Sequence, residues 1–405
     1  MTTTEPVIFN PLADGYMADP FSHLREIREA DPVHYTLVER WALFGYEDVF
    51  RLLRDPALSV DDAKADFGDD NERVQLFEEV MGDELEPDTS MLNTDPPDHT
   101  RLRRLVSKAF TPATIEQLRP RVQELVTESL DRMEAAGGGD LVGELAFTLP
   151  FDLISEMLGM PDADKIKIRD WSEALVKTLD PIITEDEVRA AFEASKAMGA
   201  HLDAVIEWKR ANPADDLLTK LIEAEDDGDT LTPVELRDQV SLLFVAGHET
   251  TVNLIGTGIY ELLRNPDQLE RWHGEPDLAV NAVDELLRFV SPVQISRRIA
   301  TTDLEFGGKE IAEGSFVMAM LASANHDPAK FGSDADQLDL GREGAGQHVS
   351  FGSGAHYCLG ASLAKLEAQV AIGSFVERFG DATVQDHHWN GRINLRGLER
   401  LDLSL

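Results

Sequence analysis

Residues 232 to 264 set the strongest constraint on how this chain folds. Thr232-Pro233-Val234-Glu235 reads as a capping box with proline at the first helical position. The pattern it opens runs to Arg264, roughly 32 residues and about 48 Å of helix. Its middle, Val240 to Tyr260, is apolar on nearly every face. A helix without a polar face must be covered on all sides, which requires a large domain built around it. A chain of 405 residues is long enough for two or three domains. No repeat, low-complexity tract or linker divides it, so we expect a single domain over residues 1–405.

The rest of the chain reads as helix first and strand late. Residues 1 to 20 are rich in Pro and Asp and are expected to form an extended arm. Helical patterns follow at Phe21–Ala30 and Glu47–Arg54, and the acidic stretch Ser59–Leu92 looks irregular. One helix should open at Thr111-Pro112 and close at Gly137-Gly138-Gly139. Another should open at Thr184, with Glu187 completing a capping box, and run to Arg210. Strand-like pieces are Arg298–Ala300, Leu304–Phe306, Phe316–Leu321 and the tail after Ile393. The expected fold class is mainly α with small β-sheets, its helix-rich core at about 98–290 and 358–380. The small β regions fall at about 298–321 and 382–405.

Charge and cysteine content remove several functions. Lys and Arg number 37 against 76 Asp and Glu, a net charge of −39. Phosphate binding needs the opposite surplus, so we expect no nucleic-acid partner and no docking on an anionic membrane. The single cysteine, Cys358, excludes an internal disulfide, a CxxC redox pair and a four-Cys cluster. The first residues show no basic and apolar leader, and no apolar run of about 18 residues occurs. A cytoplasmic protein is expected.

Cys358 lies in FGSGAHYCLGASLAKLEAQVAIGSF, after a glycine-rich turn and before an amphipathic helix. Gly352, Gly354 and Gly360 suit backbone that lies against something flat or takes positive φ. The free N–H groups and dipole of the helix N-terminus should favour the thiolate. Such a thiolate suits two tasks, axial ligation of haem iron or nucleophilic catalysis; a buried core cysteine is the third reading.

The spacing Phe351-x-x-Gly354-x-x-x-Cys358-x-Gly360 resembles the haem-binding signature of the cytochrome P-450 family. Four further segments resemble that family in the same order. These are Asp95-Pro-Pro-Asp-His99-Thr-Arg-Leu-Arg103, Ala246-Gly247-His248-Glu249-Thr250-Thr251, Glu285-Leu-Leu-Arg288, and the stretch from Asn325-His326-Asp327-Pro328 to Arg342. Together they span residues 95 to 360. The family more often has Arg where His326 stands, a departure expected to weaken only a surface contact.

The resemblance implies the P-450 fold, with haem b between the long central helix and the Cys-loop helix. Cys358 would be the axial iron ligand, with Phe351 packing near it. His99, Arg103, Arg298 and His356 would hold the haem propionates, and Arg suits paired carboxylates in a partly buried site. Ala246, Gly247, Gly352 and Gly360 would border the cofactor. His99 and Arg103, four apart, share a helix face; so do Glu285 and Arg288, three apart, which with Arg342 would form a buried scaffold network. Thr250 would hydrogen-bond the oxygen being activated, and Glu249 would relay protons to it. A threonine bonding back to the carbonyl four residues earlier, and bending the helix, is compatible with that role.

The implied activity is that of a haem-thiolate monooxygenase taking O₂ and two electrons from NAD(P)H. The electrons would come through ferredoxin reductase and ferredoxin, since no flavin or iron–sulfur segment is apparent. Arg101, Arg104 and Lys108 form a candidate basic patch for an acidic ferredoxin. The substrate would be an apolar small molecule of steroid, terpene, fatty acid or polyketide type, facing Leu243, Ala246, Val293, Ile295 and the loop before Leu92. The alternatives are a peroxide-driven haem oxidase and a non-catalytic haem-binding sensor. A cysteine-nucleophile hydrolase is more distant.

Overall fold

The computed structural model describes residues 7–66, 72–82, 89–108, 110–160, 165–226 and 228–405. The central helix is Pro233–Arg264, bounded as its capping signals require. Thr232 accepts from Glu235 N–H, and the Glu235 side chain reaches back to the Thr232 N–H at 2.8 Å. All ten residues from 251 to 260 are buried. The helices Thr148–Met157, Glu185–Ala211, Ala279–Val290 and Ala361–Arg378 pack around it. Its C-terminal half joins one apolar core, where Ile255, Ile259 and Leu262 meet Leu286, Ile372 and Phe375. Its N-terminal half enters a second core, where Val240 and Phe244 meet Phe151, Ile154 and Leu202. Burial of each such side chain contributes about 1.5–3 kcal/mol, so tertiary packing holds this helix. Gly258 marks the tightest approach: a β-carbon there would lie 3.3 Å from Ile372 of the Cys-loop helix.

Of the four sheets among the described residues, two have more than two strands. In the larger, strands run in the order Val33–Tyr35, Trp41–Leu43, Phe316–Met320, Ile295–Ala300, Leu58–Ser59. Trp41–Leu43 pairs in parallel with Phe316–Met320, with Val317 opposite Trp41, and the other pairs are antiparallel. The smaller sheet joins Thr383–Trp389, Leu398–Ser404 and Gly138–Asp140.

Several sequence expectations need correction. Within residues 7–20 Phe9 and Tyr16 are buried against Phe44 and Ile27, so this segment is part of a core and not a free arm. The stretch Ser59–Leu92 contains a short 3-10 turn, Asp62–Lys64, and the helix Glu72–Met81; residues 67–71 and 83–88 lie outside the described residues. The helix expected from Thr111 is two, Pro112–Glu116 and Arg119–Ala136, because Pro120 has no N–H to donate to the carbonyl four residues earlier and is tolerated only in the first turn of a new helix. The glycines that end it also form the strand Gly138–Asp140.

Candidate active site

The Cys loop is shaped by two glycines at positive φ, Gly352 at 69° and Gly354 at 74°. A β-carbon on Gly354 would meet the Leu53 carbonyl at 2.7 Å, so the loop lies tightly on the end of the Tyr46–Leu52 helix. Cys358 N–H then donates to the Phe351 carbonyl at 2.9 Å, closing the loop. Gly360 differs: its φ is −83°, and no protein atom lies within 4 Å of where its β-carbon would be. Backbone geometry therefore does not require glycine there. Phe351 is half-buried, with its ring 6.2 Å from that of Tyr357.

Cys358 is exposed to solvent on the surface of the loop, with much protein around it. Burial pushes its thiol pKa up, and the Gly360 and Ala361 N–H groups and Arg103 offset this only in part. In the chain itself desolvation is the larger effect and the N–H groups of the helix N-terminus work against it.

Beside the cysteine four cationic or titratable side chains converge. His99 and Arg103 come from the helix Asp98–Ser107, Arg298 from the strand Ile295–Ala300, and His356 from the Cys loop. The His99 and His356 rings lie 4.1 Å apart. Arg103 donates to the Tyr357 carbonyl at 2.5 Å. Arg298 Nη1 donates to Ser296 Oγ at 3.1 Å and to the Arg297 carbonyl at 2.6 Å. Burial pushes His356 down to about 3, with His99 and Arg298 adding to the effect. Burial also lowers Arg298 to about 10. Both ring nitrogens of buried His99 lack a hydrogen-bond partner among the described residues. Asp95, the carboxylate felt by this group, is engaged by Ser59, Val60 N–H and Lys64. A cluster of this composition fits an anion with more than one carboxylate.

On the central helix, Ala246 is exposed and Gly247 and Thr250 are half-exposed, although the next turns are fully buried. Thr250 Oγ1 donates to the Ala246 carbonyl at 3.2 Å, the back-bonding expected of a mid-helix threonine. Glu249 is buried, with Oε2 at 2.7 Å from Arg392 and Oε1 at 3.5 Å from His248. Burial raises its pKa, but His248 and Arg392 outweigh it and hold the carboxyl at about 2. Three rings, Phe147, Phe151 and Phe244, surround His248. Arg392, His248 and Glu367 were not singled out from the sequence. The Asn390-Gly391 dipeptide marks a turn, but it gives no sign that Arg392 reaches back to the central helix.

Glu285 and Arg288 are fully buried, and Arg288 grips both carboxylate oxygens at 2.7 and 2.8 Å. Arg342 adds a contact at 3.1 Å. His326 is not on the surface as expected: it is 2% exposed, stacks on Phe21 at 4.1 Å and bonds Asp336 and the Phe289 carbonyl. Among the pocket candidates Leu243 and Ala246 share the helix of Thr250, and Val293 packs half-buried on the larger sheet's core. Ile295 is buried in the apolar cluster of Phe9, Ile27 and Phe44. Arg101 is corrected, being paired with Glu235 and Asp229, whereas Arg104 and Lys108 are exposed.

A helical fold that brings His99, Arg103, Arg298 and His356 to its only cysteine fits a haem, whose two carboxylates the cluster can pair. The family model described as cytochrome P450 matches residues 57–388, and the chain belongs to the cytochrome P450 family. Cytochrome P450 107B1 of Saccharopolyspora erythraea is 41% identical, covering 99% of this chain and 98% of its own length. The monooxygenase PikC of Streptomyces venezuelae is 37% identical, over 99% and 95%. Among solved structures, P450BioI in complex with hexadec-9Z-enoic acid ligated acyl carrier protein superposes with a TM-score of 0.88 at 31% identity, covering 97% of this chain and 100% of that one. The protein is accordingly a haem-b-binding cytochrome P450 monooxygenase. No helix among the described residues is long and apolar enough to cross a membrane.

Proposed function

We propose that the protein uses O₂ and two electrons from NAD(P)H, delivered by ferredoxin reductase and ferredoxin, to oxidise an apolar polyketide-type small molecule. The observation that carries the site assignment is the meeting of Cys358 with His99, Arg103, Arg298 and His356. Haem b bound there would supply oxygen activation, with Cys358 as its iron ligand, the Arg103 and Arg298 guanidiniums paired with its two carboxylates and the His99 and His356 rings beside them. Metal coordination would favour the thiolate that burial alone disfavours.

Thr250 presents a half-exposed hydroxyl on the turn of the central helix that also leaves Ala246 exposed and Gly247 half-exposed, where it would hold a proton at a defined position. Glu249, kept ionised by Arg392 and His248, is no standing proton store. It would pass on protons arriving from solvent. This acid–alcohol pair favours O₂ chemistry over a peroxide-driven enzyme or a sensor. The polyketide class is supported by relatives named for it, including the polyketide biosynthesis P450 PksS of Bacillus subtilis and the 6-deoxyerythronolide B hydroxylase of S. erythraea, 35% and 36% identical. NAD(P)H as the electron source suits a cytoplasmic location.

The test is a screen of polyketide lactones, fatty acids and steroids for the haem absorbance change on substrate binding. Turnover of each hit with reconstituted redox partners and ¹⁸O₂ then follows. Incorporation of one labelled oxygen atom per product is expected. Binding without NAD(P)H-dependent product would leave the sensor reading.

A further inference from the structure

The segment joining the helices Lys165–Val176 and Glu185–Ala211 is tied to the loop 390–397, and that loop in turn reaches Glu249. Asp180 lies in the connecting segment, partly buried. Its Oδ1 accepts from Asn394 N–H at 2.7 Å and its Oδ2 from Ile393 N–H at 3.2 Å. The Asn394 side chain returns a hydrogen bond to the Leu179 carbonyl at 3.2 Å, and its amide oxygen accepts from Ile295 N–H at 2.9 Å. Immediately before this clasp stands Arg392, whose backbone N–H is held by Asn390 Oδ1 at 3.1 Å and whose guanidinium takes Glu249 at 2.7 Å. The far end of the loop is fixed separately, by Asn253 on the Leu395 carbonyl.

We propose that Asp180 is a positioning residue for Glu249: by gripping the backbone of residues 393 and 394 it sets the loop so that Arg392 stays on the Glu249 carboxylate. A buried carboxylate is costly unless its oxygens are used, and both Asp180 oxygens are used on this one turn. Arg392 carries a long, flexible side chain, and a fixed backbone on both sides of it removes much of the entropy that would otherwise pull it from its partner. The result joins the segment at 179–180 to the acid beside Thr250 through residues 392–394.

The groups facing Glu249 leave few other controls. His248 comes from its own helix and Arg392 from the loop. The helix Thr148–Met157 and the segment before it present Phe147, Phe151 and Ile154 near this turn. Glu367 of the Cys-loop helix turns to Thr251. Desolvation is opposed first by His248, which sits on the same helix as Glu249, and then by Arg392; of the two, Arg392 is the one that a loop carries. This inference rests on the proposed role of Glu249 in proton delivery.

The test compares Asp180→Asn, Arg392→Gln, Arg392→Lys, Glu249→Gln and the Asp180→Asn/Arg392→Gln pair in the haem-loaded enzyme. In Asp180→Asn, amide hydrogen exchange over residues 390–397 should rise at least tenfold while that of the central helix is unchanged. The pH profile of product per NAD(P)H should move to higher pH in Arg392→Gln, and by less in Asp180→Asn. Arg392→Lys should restore the original profile, and the double variant should behave like Arg392→Gln alone. Faster exchange in Asp180→Asn with an unmoved pH profile would make Asp180 merely structural and overturn the inference. A Glu249→Gln enzyme with wild-type turnover would instead overturn the proposed role of Glu249, and the inference with it.

Discussion

Glu285 and Arg342, 57 positions apart in the chain, meet at 3.1 Å in a site from which water is shut out. Arg288 shares the same carboxylate and also donates to the carbonyls of Asn325, Ala335 and Gln337. The Ala279–Val290 helix is thereby fastened to the segment that leads into the Cys loop. Arg288→Ala would leave Glu285 buried and short of a partner, a loss of roughly 3–5 kcal/mol. Mostly aggregated or haem-poor protein is expected, scored by haem content and melting temperature. Wild-type values for both would show that the network does not hold the loop.

Cys358→Ser tests the axial ligand separately from cofactor retention. His99, Arg103 and Arg298, three of the four side chains that would hold the haem carboxylates, reside on two segments other than the Cys loop, so the variant should still bind some haem. The spectrum of its reduced, carbon-monoxide-bound form should lose the thiolate signature. A spectrum identical to that of the unaltered protein would rule out Cys358 as ligand.

The extent to which all this is legible in the sequence depends on how local each determinant is. The central helix is bounded within one residue by Thr232 and Arg264 because caps act over a single turn. The cation cluster and the Glu285 network follow from the family motifs, whose members are short-range in pairs. Arg392 is opaque because its partner is 143 residues away and nothing near it marks an inward-facing side chain. The strands Val33–Tyr35 and Trp41–Leu43 are too short to show alternation and exist because Phe316–Met320 offers an edge to pair with. His326 reads as a surface residue, but Phe21, from the opposite end of the chain, covers it.

Thr250→Ala and Glu249→Gln should fail differently. Removing the hydroxyl takes away the group proposed to place the proton, so NAD(P)H consumption should continue while hydrogen peroxide replaces much of the product. Removing the carboxylate leaves the hydroxyl but interrupts delivery, so total consumption should fall, on the order of tenfold or more. Product, peroxide and NAD(P)H are measured together with any accepted substrate. Wild-type product per NAD(P)H in Thr250→Ala would reduce that residue to its hydrogen bond with the Ala246 carbonyl.

Electron delivery to so acidic a chain needs a locally basic approach. Arg104 and Lys108 are exposed on the helix whose Arg103 touches the Cys loop, and exposed Arg54 lies against Gly354 of that loop. Arg104→Glu and Arg54→Glu should each slow reduction by an acidic ferredoxin several-fold at low salt. The difference should shrink as ionic strength rises and the charges are screened. Arg101→Gln should have the smaller effect on this step, because Arg101 is already spent on Glu235 and Asp229. Stopped-flow reduction rates at several salt concentrations decide it; rates indifferent to both salt and these charges would place the docking surface elsewhere.

Glu367, on the Cys-loop helix beneath Thr251, gives a pH dependence with a definite sign. It is 2% exposed, its Oε2 finds no hydrogen-bond partner among the described residues, and burial pushes its pKa from 4.5 to about 8, opposed only by a hydrogen bond with Thr251. The folded protein therefore keeps a proton that the unfolded chain releases above about 4.5. Stability is greatest, as far as this group is concerned, below that value. It is lost as pH rises towards 8, at no more than about 1.4 kcal/mol per pH unit, and is level beyond. Glu367→Gln preserves the shape and the neutral state without the titration. It should match the unaltered protein in stability near pH 5 and exceed it increasingly up to pH 8, a trend read from denaturant midpoints at fixed ionic strength. If the gap between the two proteins does not change with pH, the carboxyl is ionised in the fold with a partner or water to stabilise it, and the apolar burial beneath Thr251 is not the controlling force.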